Sequence, residues 1–283
     1  MERRSTERTA MNQRLRRARR REWLEVEGRE FLKGSAKLDR WSRRVKHQWV
    51  VLQDLCTDRG SRVRLGRLIH RLLSHDRGVR ESALAELELA TQLIRAGFTI
   101  RFLPEAQART ADLEGRRGET RIFFEVTALV GSGRHLGLAA LQRRRHDEDG
   151  PRAVGQAVID RLTARIAQKS KQLGDYAAPV MLAMSVPKHE PGVRPDEPIV
   201  DLKKLAGTVT VLLLGLKQLS GVLITLWDLE AAPVQSGIRL ANVHLVERSR
   251  HQSASPRVRL LIANPGAEFP LETADLEVLN GLV

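Results

Sequence analysis

From about residue 80 to the C-terminus, segments with the helical spacing of apolar residues alternate with short apolar segments that are typical of strands. ESALAELELATQLIRAG (81–97) has helical spacing, with Ser82 as a plausible N-cap and Gly97 as its end. AVGQAVIDRLTARIAQKSKQL (153–173) predicts a second, longer helix. The predicted strands are FTIRFL (98–103), TRIFFEVTAL (120–129), APVMLAMSVP (178–187), TVTVLLLG (208–215) and GVLITLWDL (221–229). This alternation predicts an α/β domain with a mixed sheet flanked by helices.

The N-terminal region differs from the rest of the chain in charge. The formal net charge is +14, and residues 1–80 hold 23 Lys and Arg against 10 Asp and Glu, whereas the remainder holds 25 against 24. Helical spacing in residues 40–55 and 61–74 predicts helices, and the first 20 or so residues are expected to be disordered. We therefore divide the chain into a basic helical region, 1–77, and an α/β domain, 78–283, which has its own pattern and should fold alone.

This basic region predicts contact with nucleic acid. A positive surface attracts polyanions through charge neutralisation and counterion release. The residues expected to make the contact are Arg14, Arg16, Arg17, Arg19, Arg20, Arg43, Arg44 and Lys46. A solubilising arm or an arginine-rich coding bias would give the same composition, so both alternatives stay open.

Other features bear on the compartment. A length of 283 residues with 42% hydrophobic content is enough for a packed core. The lone Cys56 excludes a disulfide framework and fits a reducing compartment. The most apolar stretch, residues 209–226, carries Lys217 and Ser220 and is too interrupted to span a membrane. With no signal peptide visible, a cytoplasmic protein without membrane contact is expected.

Two charged residues fall on the apolar sides of the predicted helices. At about 100° per residue, Glu86 lies within the apolar arc of the first helix, whereas Glu88 lies opposite and is expected to be solvated. Lys169 falls near the middle of the apolar arc of the long helix, with Gln172 at its edge and Lys171 pointing away. A buried charge is costly unless it is paired, so an acidic partner is expected for Lys169. The alternative is that Lys169 extends past its neighbours to water.

Two further acids lie near one another in the predicted sheet. Strand alternation sets Glu125 and Thr127 on one face of 120–129, and Val126 on the other. Asp112 is expected to end the neighbouring strand of a hairpin, which would bring two carboxylates to one sheet edge. Carboxylate and carbonyl oxygens are the ligands that Mg²⁺ prefers. Such a site can activate water and stabilise charge on a phosphodiester.

The stretches AELELATQLIRAGFTIRFLPE, RTADLE and FFEVTAL resemble the PD-(D/E)XK nuclease superfamily. The family pattern is a helix glutamate, an aspartate, and then Glu-X-Lys on the next strand. Thr127 stands where that lysine would be, which is a departure. Some families in the superfamily carry the lysine on the following helix, in a context similar to RIAQKSKQLGDYAAPVMLAMS. The resemblance covers about residues 80 to 190 and makes Lys169 the relocated lysine, with Gln172 as an accessory group.

The resemblance implies a restriction-endonuclease-like fold and hydrolysis of phosphodiester bonds in nucleic acid, with DNA as the expected substrate and Mg²⁺ or Mn²⁺ as the cofactor. Asp112, Glu125 and the Val126 carbonyl would hold the metal. Glu86 would bind a second ion or orient water. Lys169 would position the attacking water or stabilise charge at the phosphate. A catalytically inactive nucleic-acid-binding relative is the alternative, and the choice between DNA and RNA and the presence of a homodimer stay open.

Overall fold

The computed structural model describes residues 40–56, 58–104, 110–130, 150–174, 176–187, 199–227, 230–231, 242–247 and 256–282. Five of the residues predicted to contact nucleic acid lie outside these ranges: Arg14, Arg16, Arg17, Arg19 and Arg20. The side chains of Arg43 and Arg44 also lie outside the described part of the chain. Lys46 is described and half-buried on the first helix. The interpretation of the N-terminal arginines as a nucleic-acid surface therefore stays a prediction.

The described residues form six helices and nine strands. The helices are α1 (Arg40–Leu55), α2 (Arg59–Leu72), α3 (Arg77–Arg95), α4 (Gly150–Ser170), α5 (Leu202–Leu214) and α6 (Thr273–Asn280). The strands are β1 (Thr99–Phe102), β2 (Leu113–Arg117), β3 (Thr120–Ala128), β4 (Val180–Val186), β5 (Ile199–Val200), β6 (Gly221–Leu226), β7 (Glu230–Ala231), β8 (Val243–Glu247) and β9 (Val258–Ala263). The predicted α/β class is confirmed.

Seven strands make one mixed sheet in the order β1-β2-β3-β4-β6-β9-β8. Strand β2 runs antiparallel to both β1 and β3, and β3, β4 and β6 are parallel to one another. The sheet returns to antiparallel pairing at β9 and β8. The parallel centre needs crossover connections, and helices α4 and α5 supply them.

Helix α3 begins earlier than the sequence suggested. Asp76, not Ser82, is its N-cap, and the Asp76 carboxylate accepts the N–H of Val79 at 3.0 Å. The first turn of α3 is polar, so the apolar spacing used to find the helix could not mark its start. At the other end Gly97 adopts φ 88°, the left-handed conformation that suits glycine after a helix.

The predicted strand TVTVLLLG is wrong, because these residues belong to helix α5. Asp201 caps this helix by accepting the N–H of Lys204 at 2.9 Å. The buried side chains follow helical spacing, with Leu202, Leu205, Ala206, Val209 and Leu213 on one side. The run of Thr and Val at 208–211 favours strands locally, but packing of the longer helical face prevails. No described helix is long and apolar enough to cross a membrane.

The two faces of the sheet bury separate hydrophobic clusters. One cluster joins α1, α2 and α3 to the face of β3 that carries Phe124 and Val126. The other joins α4 and α5 to the opposite face, which carries Phe123. Trp49 of α1 and Leu68 of α2 lie in the same cluster as Leu87 of α3. The division at residues 77 and 78 stays a prediction, but a core shared across it argues against independent folding of the two parts.

Candidate active site

The β2–β3 hairpin positions the two acids that the sequence placed at a sheet edge. Leu113 of β2 pairs with Phe124 of β3, so the start of β2 lies beside the second half of β3. Asp112 comes directly before β2 rather than at the end of a strand, and its N–H donates to the Phe124 carbonyl at 2.9 Å. Its Oδ2 accepts the N–H of Val126 at 2.8 Å. This pairing holds Asp112 next to Glu125.

The Val126 carbonyl faces the same edge. In an antiparallel pair the N–H and C=O of one residue point to the same neighbouring strand. Because the Val126 N–H donates to Asp112, the Val126 carbonyl points to the Asp112 side as well. Strand β2 starts at Leu113, opposite Phe124, so its ladder does not reach Val126. A carboxylate and a backbone carbonyl therefore share this edge.

Lys169 contacts an acidic side chain, as its position in the apolar arc of the helix led us to expect. Its Nζ lies 2.7 Å from Glu125 Oε1, and the side chain is 18% exposed. Lys171 is exposed, as predicted. Gln172 is also exposed, in the turn after α4, and within the described ranges its side chain makes no hydrogen bond to Asp112 or Glu125. Its accessory role stays a prediction without a contact to support it.

Glu86 is buried on the core side of α3, as predicted, and two arginines of α2 hold it. Arg64 Nη2 lies 3.2 Å from Glu86 Oε2 and 2.7 Å from Asp112 Oδ1, so one nitrogen bridges two carboxylates. Arg71 Nη1 donates to Glu86 Oε1. Sequence reasoning missed both arginines. A signal was available, since angular mapping sets Arg64 about 40° from Leu68, at the edge of the apolar arc of α2.

Glu88 is not solvated, contrary to the prediction. It is half-buried, with a side chain 15% exposed, and its Oε1 lies 3.4 Å from Nη2 of Arg259 on β9. Gln92 also donates to this oxygen, at 2.9 Å. The mapping placed Glu88 opposite the apolar arc and could not foresee that this side of α3 faces the sheet, where β9 supplies a cation. Glu88 is thus paired with Arg259 of β9, whereas Glu125 is paired with Lys169.

Burial and mutual repulsion shift the three carboxylates of the site in one direction. Burial, with the neighbouring charge of Asp112, raises the pKa of Glu86 to about 7 against the pull of Arg71 and Arg64. Burial raises the pKa of Asp112, although the Val126 N–H and Arg64 act against it. Burial and the charge of Asp112 also raise the pKa of Glu125. Protons are therefore held here at higher pH than on ordinary carboxyl groups.

Thr127, which the sequence resemblance sets in the place of a strand lysine, contacts a cation from α4. Arg165 Nη2 donates to Thr127 Oγ1 at 3.2 Å. Arg165 lies one turn before Lys169 on α4, on the same side of the helix. Helix α4 therefore directs two positive side chains onto the face of β3 that carries Glu125.

The donor atoms of the site are of the type that a hard cation prefers. Two carboxylates and a carbonyl, completed by water, are what Mg²⁺ or Mn²⁺ would take. Within the described ranges, however, no three His, Cys, Asp or Glu side chains lie together as they would around a metal ion. Arg64 holds Asp112 Oδ1 and Lys169 holds Glu125 Oε1. A metal ion would have to share Asp112 with Arg64 or displace it.

No protein-family model, no curated protein and no solved structure matches the chain. The function must therefore be inferred from the geometry of the site and from the sequence resemblance. Both concern the same residues: Glu86, Asp112, Glu125 and Lys169.

Proposed function

We propose that the chain is a metal-dependent nuclease that hydrolyses phosphodiester bonds in DNA. The observation that carries the proposal is the approach of Lys169 to Glu125, at 2.7 Å, beside the Asp112 carboxylate. Lys169 and Glu125 are 44 residues apart and come from different elements. A chance pairing of a helix lysine with a strand glutamate would not also bring Asp112 and Glu86 to the same place.

We also propose that the fold is restriction-endonuclease-like. Its support is the order of the elements: helix α3 carries Glu86, the β2–β3 hairpin carries Asp112 and Glu125, and helix α4 carries Lys169. This is the order that the PD-(D/E)XK resemblance implies when the lysine has moved to the following helix. The seven-stranded mixed sheet with helices on both faces is compatible with it.

The proposed roles follow from chemistry and position. Asp112, Glu125 and the Val126 carbonyl would hold Mg²⁺ or Mn²⁺, which when bound lowers the pKa of water and neutralises phosphate charge. Lys169 orients Glu125 and offers a cation to the developing charge at the phosphate. Glu86, with its pKa near 7, is suited to hold or release a proton of the attacking water.

The alternative is a nucleic-acid-binding protein without catalysis, and one observation favours it. Arg64, Arg71 and Lys169 already balance the charges of Glu86, Asp112 and Glu125 without a metal. A site neutralised in this way needs no divalent ion for stability. The two functions differ in one respect, which is whether added metal produces cleavage.

A nicking assay tests the proposal. The full chain is incubated with supercoiled plasmid DNA in Mg²⁺, in Mn²⁺ and in EDTA, and Glu125→Gln is compared with Glu88→Gln as the matched control. We expect nicking with metal only, lost in Glu125→Gln and kept in Glu88→Gln, because Glu88 pairs with Arg259 of β9 and not with Lys169. Unchanged DNA affinity in EDTA without cleavage under any condition would favour the binding protein instead.

The N-terminal contact is tested separately. Deleting residues 1–39 removes five of the predicted arginines and leaves α1 and α2 in place. We expect weaker DNA binding and a flatter dependence of log affinity on log salt concentration, since fewer counterions are released. An unchanged salt slope would remove nucleic-acid contact from this segment. Little salt-sensitive binding by the full chain would indicate a scaffold protein unrelated to nucleic acid.

A further inference from the structure

The sheet face that carries Glu125 continues to an exposed group of arginines. Arg101 of β1 pairs with Glu114 of β2, and Arg116 of β2 pairs with Arg121 of β3, so these side chains are neighbours on one face. The side chains of Arg101, Arg116 and Arg121 are 60%, 58% and 48% exposed. Arg121 precedes Glu125 by four residues, about 13 Å along the strand. The arginine group thus lies on the approach to the candidate active site.

This group has more positive charge than its own structure needs. The buried Glu114 Oε1 accepts from Arg116 Nε and Arg121 Nε, each at 2.7 Å. Arg101 Nη1 lies 4.0 Å from the other oxygen of Glu114. One carboxylate therefore orders three guanidinium groups. Asp58 also interacts electrostatically with Arg101, so the group keeps at least one positive charge in excess. Each guanidinium has five N–H donors, so most donors remain directed to solvent.

A cavity of about 320 Å³ opens beside the arginine group. The ring of Tyr176 stacks on Phe123 with 4.1 Å between centroids, and the Arg121 Cζ lies 4.7 Å from the Phe123 centroid. The Tyr176 hydroxyl accepts the N–H of Ala111, the residue before Asp112. This bond fixes the tyrosine ring in the cavity wall. The volume is at the lower end of the range of ligand pockets, roughly 300 to 1,000 Å³.

We infer that this cavity is a subsite for one unpaired nucleotide of a nucleic-acid strand, whose base stacks on Tyr176 and whose phosphate lies against Arg101 and Arg121, the two arginines that line the cavity. Aromatic rings with adjacent cations are the combination that binds single-stranded nucleic acid, because every base has a π face and every linkage a charge. A base inside a duplex is already stacked on both faces, so the nucleotide must be unpaired. The inference rests on the proposed function for the direction of the strand, which continues from Arg121 to Glu125.

The chain offers a direct probe, because Tyr176 is its only tyrosine. Biosynthetic 3-fluorotyrosine places one fluorine-bearing residue in the full-length protein, at the wall of the cavity. The ¹⁹F resonance is followed in EDTA while a short oligothymidine strand is added. We expect a saturable shift with this strand, and no comparable shift with an abasic strand of equal length or with a blunt duplex.

Variants then separate the base contact from the phosphate contact. Tyr176→Leu should weaken binding of the oligothymidine strand about ten-fold, measured by fluorescence anisotropy in EDTA, because stacking on the ring is lost. Arg121→Gln should weaken binding and lower the salt slope by about 1. Lys203→Gln removes the same charge from an exposed position on α5 and should change neither. Thermal unfolding checks that each variant folds. If Tyr176→Leu does not fold, Tyr176→Phe is used in its place, because it keeps the aromatic ring.

The outcomes separate this inference from the proposed nuclease. A fluorine shift with the oligothymidine strand but no metal-dependent nicking would keep the subsite and remove the nuclease. Nicking by a protein whose fluorine resonance does not move at saturating oligothymidine would remove the subsite and keep the nuclease. Equal shifts with the abasic strand or with the duplex would overturn the unpaired, stacked nucleotide.

Discussion

Glu86 and Glu114 are both nearly inaccessible carboxylates held by arginines, yet their protonation is shifted in opposite directions. Burial raises the pKa of Glu86, and Asp112 adds a second negative charge that raises it further, to about 7. Burial also acts to raise the pKa of Glu114, but hydrogen bonds from Arg116 and Arg121 outweigh it and hold the value below the ordinary one. Burial is the largest cause of the raised pKa at Glu86 and the Asp112 charge adds to it, whereas at Glu114 the arginine hydrogen bonds prevail over burial.

The opposite pKa shifts distinguish the ion pairs of Glu114, which are structural, from those of Glu86 in the candidate active site. At Glu114, exposed arginines outnumber a single acid, and the carboxylate stays ionised. At Glu86, Arg64 is itself buried and is shared with Asp112, and Arg71 is half-buried. In this crowded site the pKa of Glu86 is raised to about 7, which is the property that acid–base chemistry needs.

The largest expected effect concerns Lys169. Lys169→Ala should lower the rate of nicking at least about 100-fold, because a cation that faces developing phosphate charge is lost. Lys171→Ala, on the exposed side of the same helix, should change the rate little. The measurement is the initial rate of plasmid nicking in Mg²⁺ and in Mn²⁺. Equal rates for the native chain and Lys169→Ala would remove Lys169 from the site and with it most of the case for a relocated lysine.

Removal of an arginine should destabilise the protein far more at Glu86 than at Glu114. Arg64→Leu takes away the cation that bridges Glu86 and Asp112, and breaking such a buried pair costs about 3 to 5 kcal/mol. Arg116→Leu leaves Glu114 with Arg121, and an ion pair whose cation is as exposed as Arg116 contributes at most about 1 kcal/mol. Urea unfolding in EDTA measures both. Similar losses in the two variants would contradict the distinction drawn between Glu86 and Glu114.

Glu86 and Glu114 should contribute to the pH dependence of stability with opposite signs. The pKa of Glu86 rises from 4.5 to about 7 on folding, so its contribution to the free energy of unfolding grows as pH falls from about 7 to about 4.5. The pKa of Glu114 is lowered on folding, so its contribution is present above pH 4.5 and is lost as pH falls through the folded value. The Glu86 contribution is at most about 3 kcal/mol.

Asp112→Asn and Glu114→Gln make this comparison measurable. Without the Asp112 charge the pKa of Glu86 should fall, so the gain in stability between pH 7 and pH 4.5 should shrink. Glu114→Gln should leave that gain unchanged and reduce the loss at lower pH. Urea midpoints from pH 7 to well below pH 4.5, in EDTA, give the slopes. A gain that is the same in Asp112→Asn would show that Glu86 does not respond to Asp112.

The smallest expected effect is a partial rescue. Thr127→Lys in the Lys169→Ala background returns a lysine to the strand position next to Glu125. Only a small fraction of the nicking rate should return, because Arg165 already contacts Thr127 at 3.2 Å and would repel the new cation. Adding Arg165→Gln to this double variant should increase the rescue. No recovery in either variant would mean that position 127 and Lys169 do not reach the same place.

Much of this site could be predicted because its charged residues interrupt periodic apolar patterns. Glu86 and Lys169 stood out in helical arcs, and Glu125 stood out in a strand. The same reasoning missed Arg64, which lies at the edge of an arc rather than inside it. It also assigned Glu88 to solvent, since nothing in its own helix reveals that Arg259 of β9 lies opposite.

The errors in secondary structure have a similar cause. The sequence 208–215 looks like a strand over eight residues and like a helix only when Leu202 and Leu205 are included. Ser82 looks like a cap because the polar first turn of α3 hides the true start at Asp76. Local propensity is weak compared with the packing of a whole face, so these boundaries depended on contacts that the sequence does not display.

The reach of Arg64 from α2 to Asp112 gives the protein a defined order of assembly during synthesis. Translation brings out α2 first, then the hairpin with Asp112 and Glu125, and Lys169 only 44 residues after Glu125. At ribosomal speeds that interval lasts roughly 2 to 9 s. Throughout it the chain already holds Arg64 and Arg71, the cations that pair with Glu86 and Asp112, while Lys169 is still missing. If the proposed nuclease is correct, a chain that stalls before residue 169 cannot cut, because the cation beside Glu125 is absent.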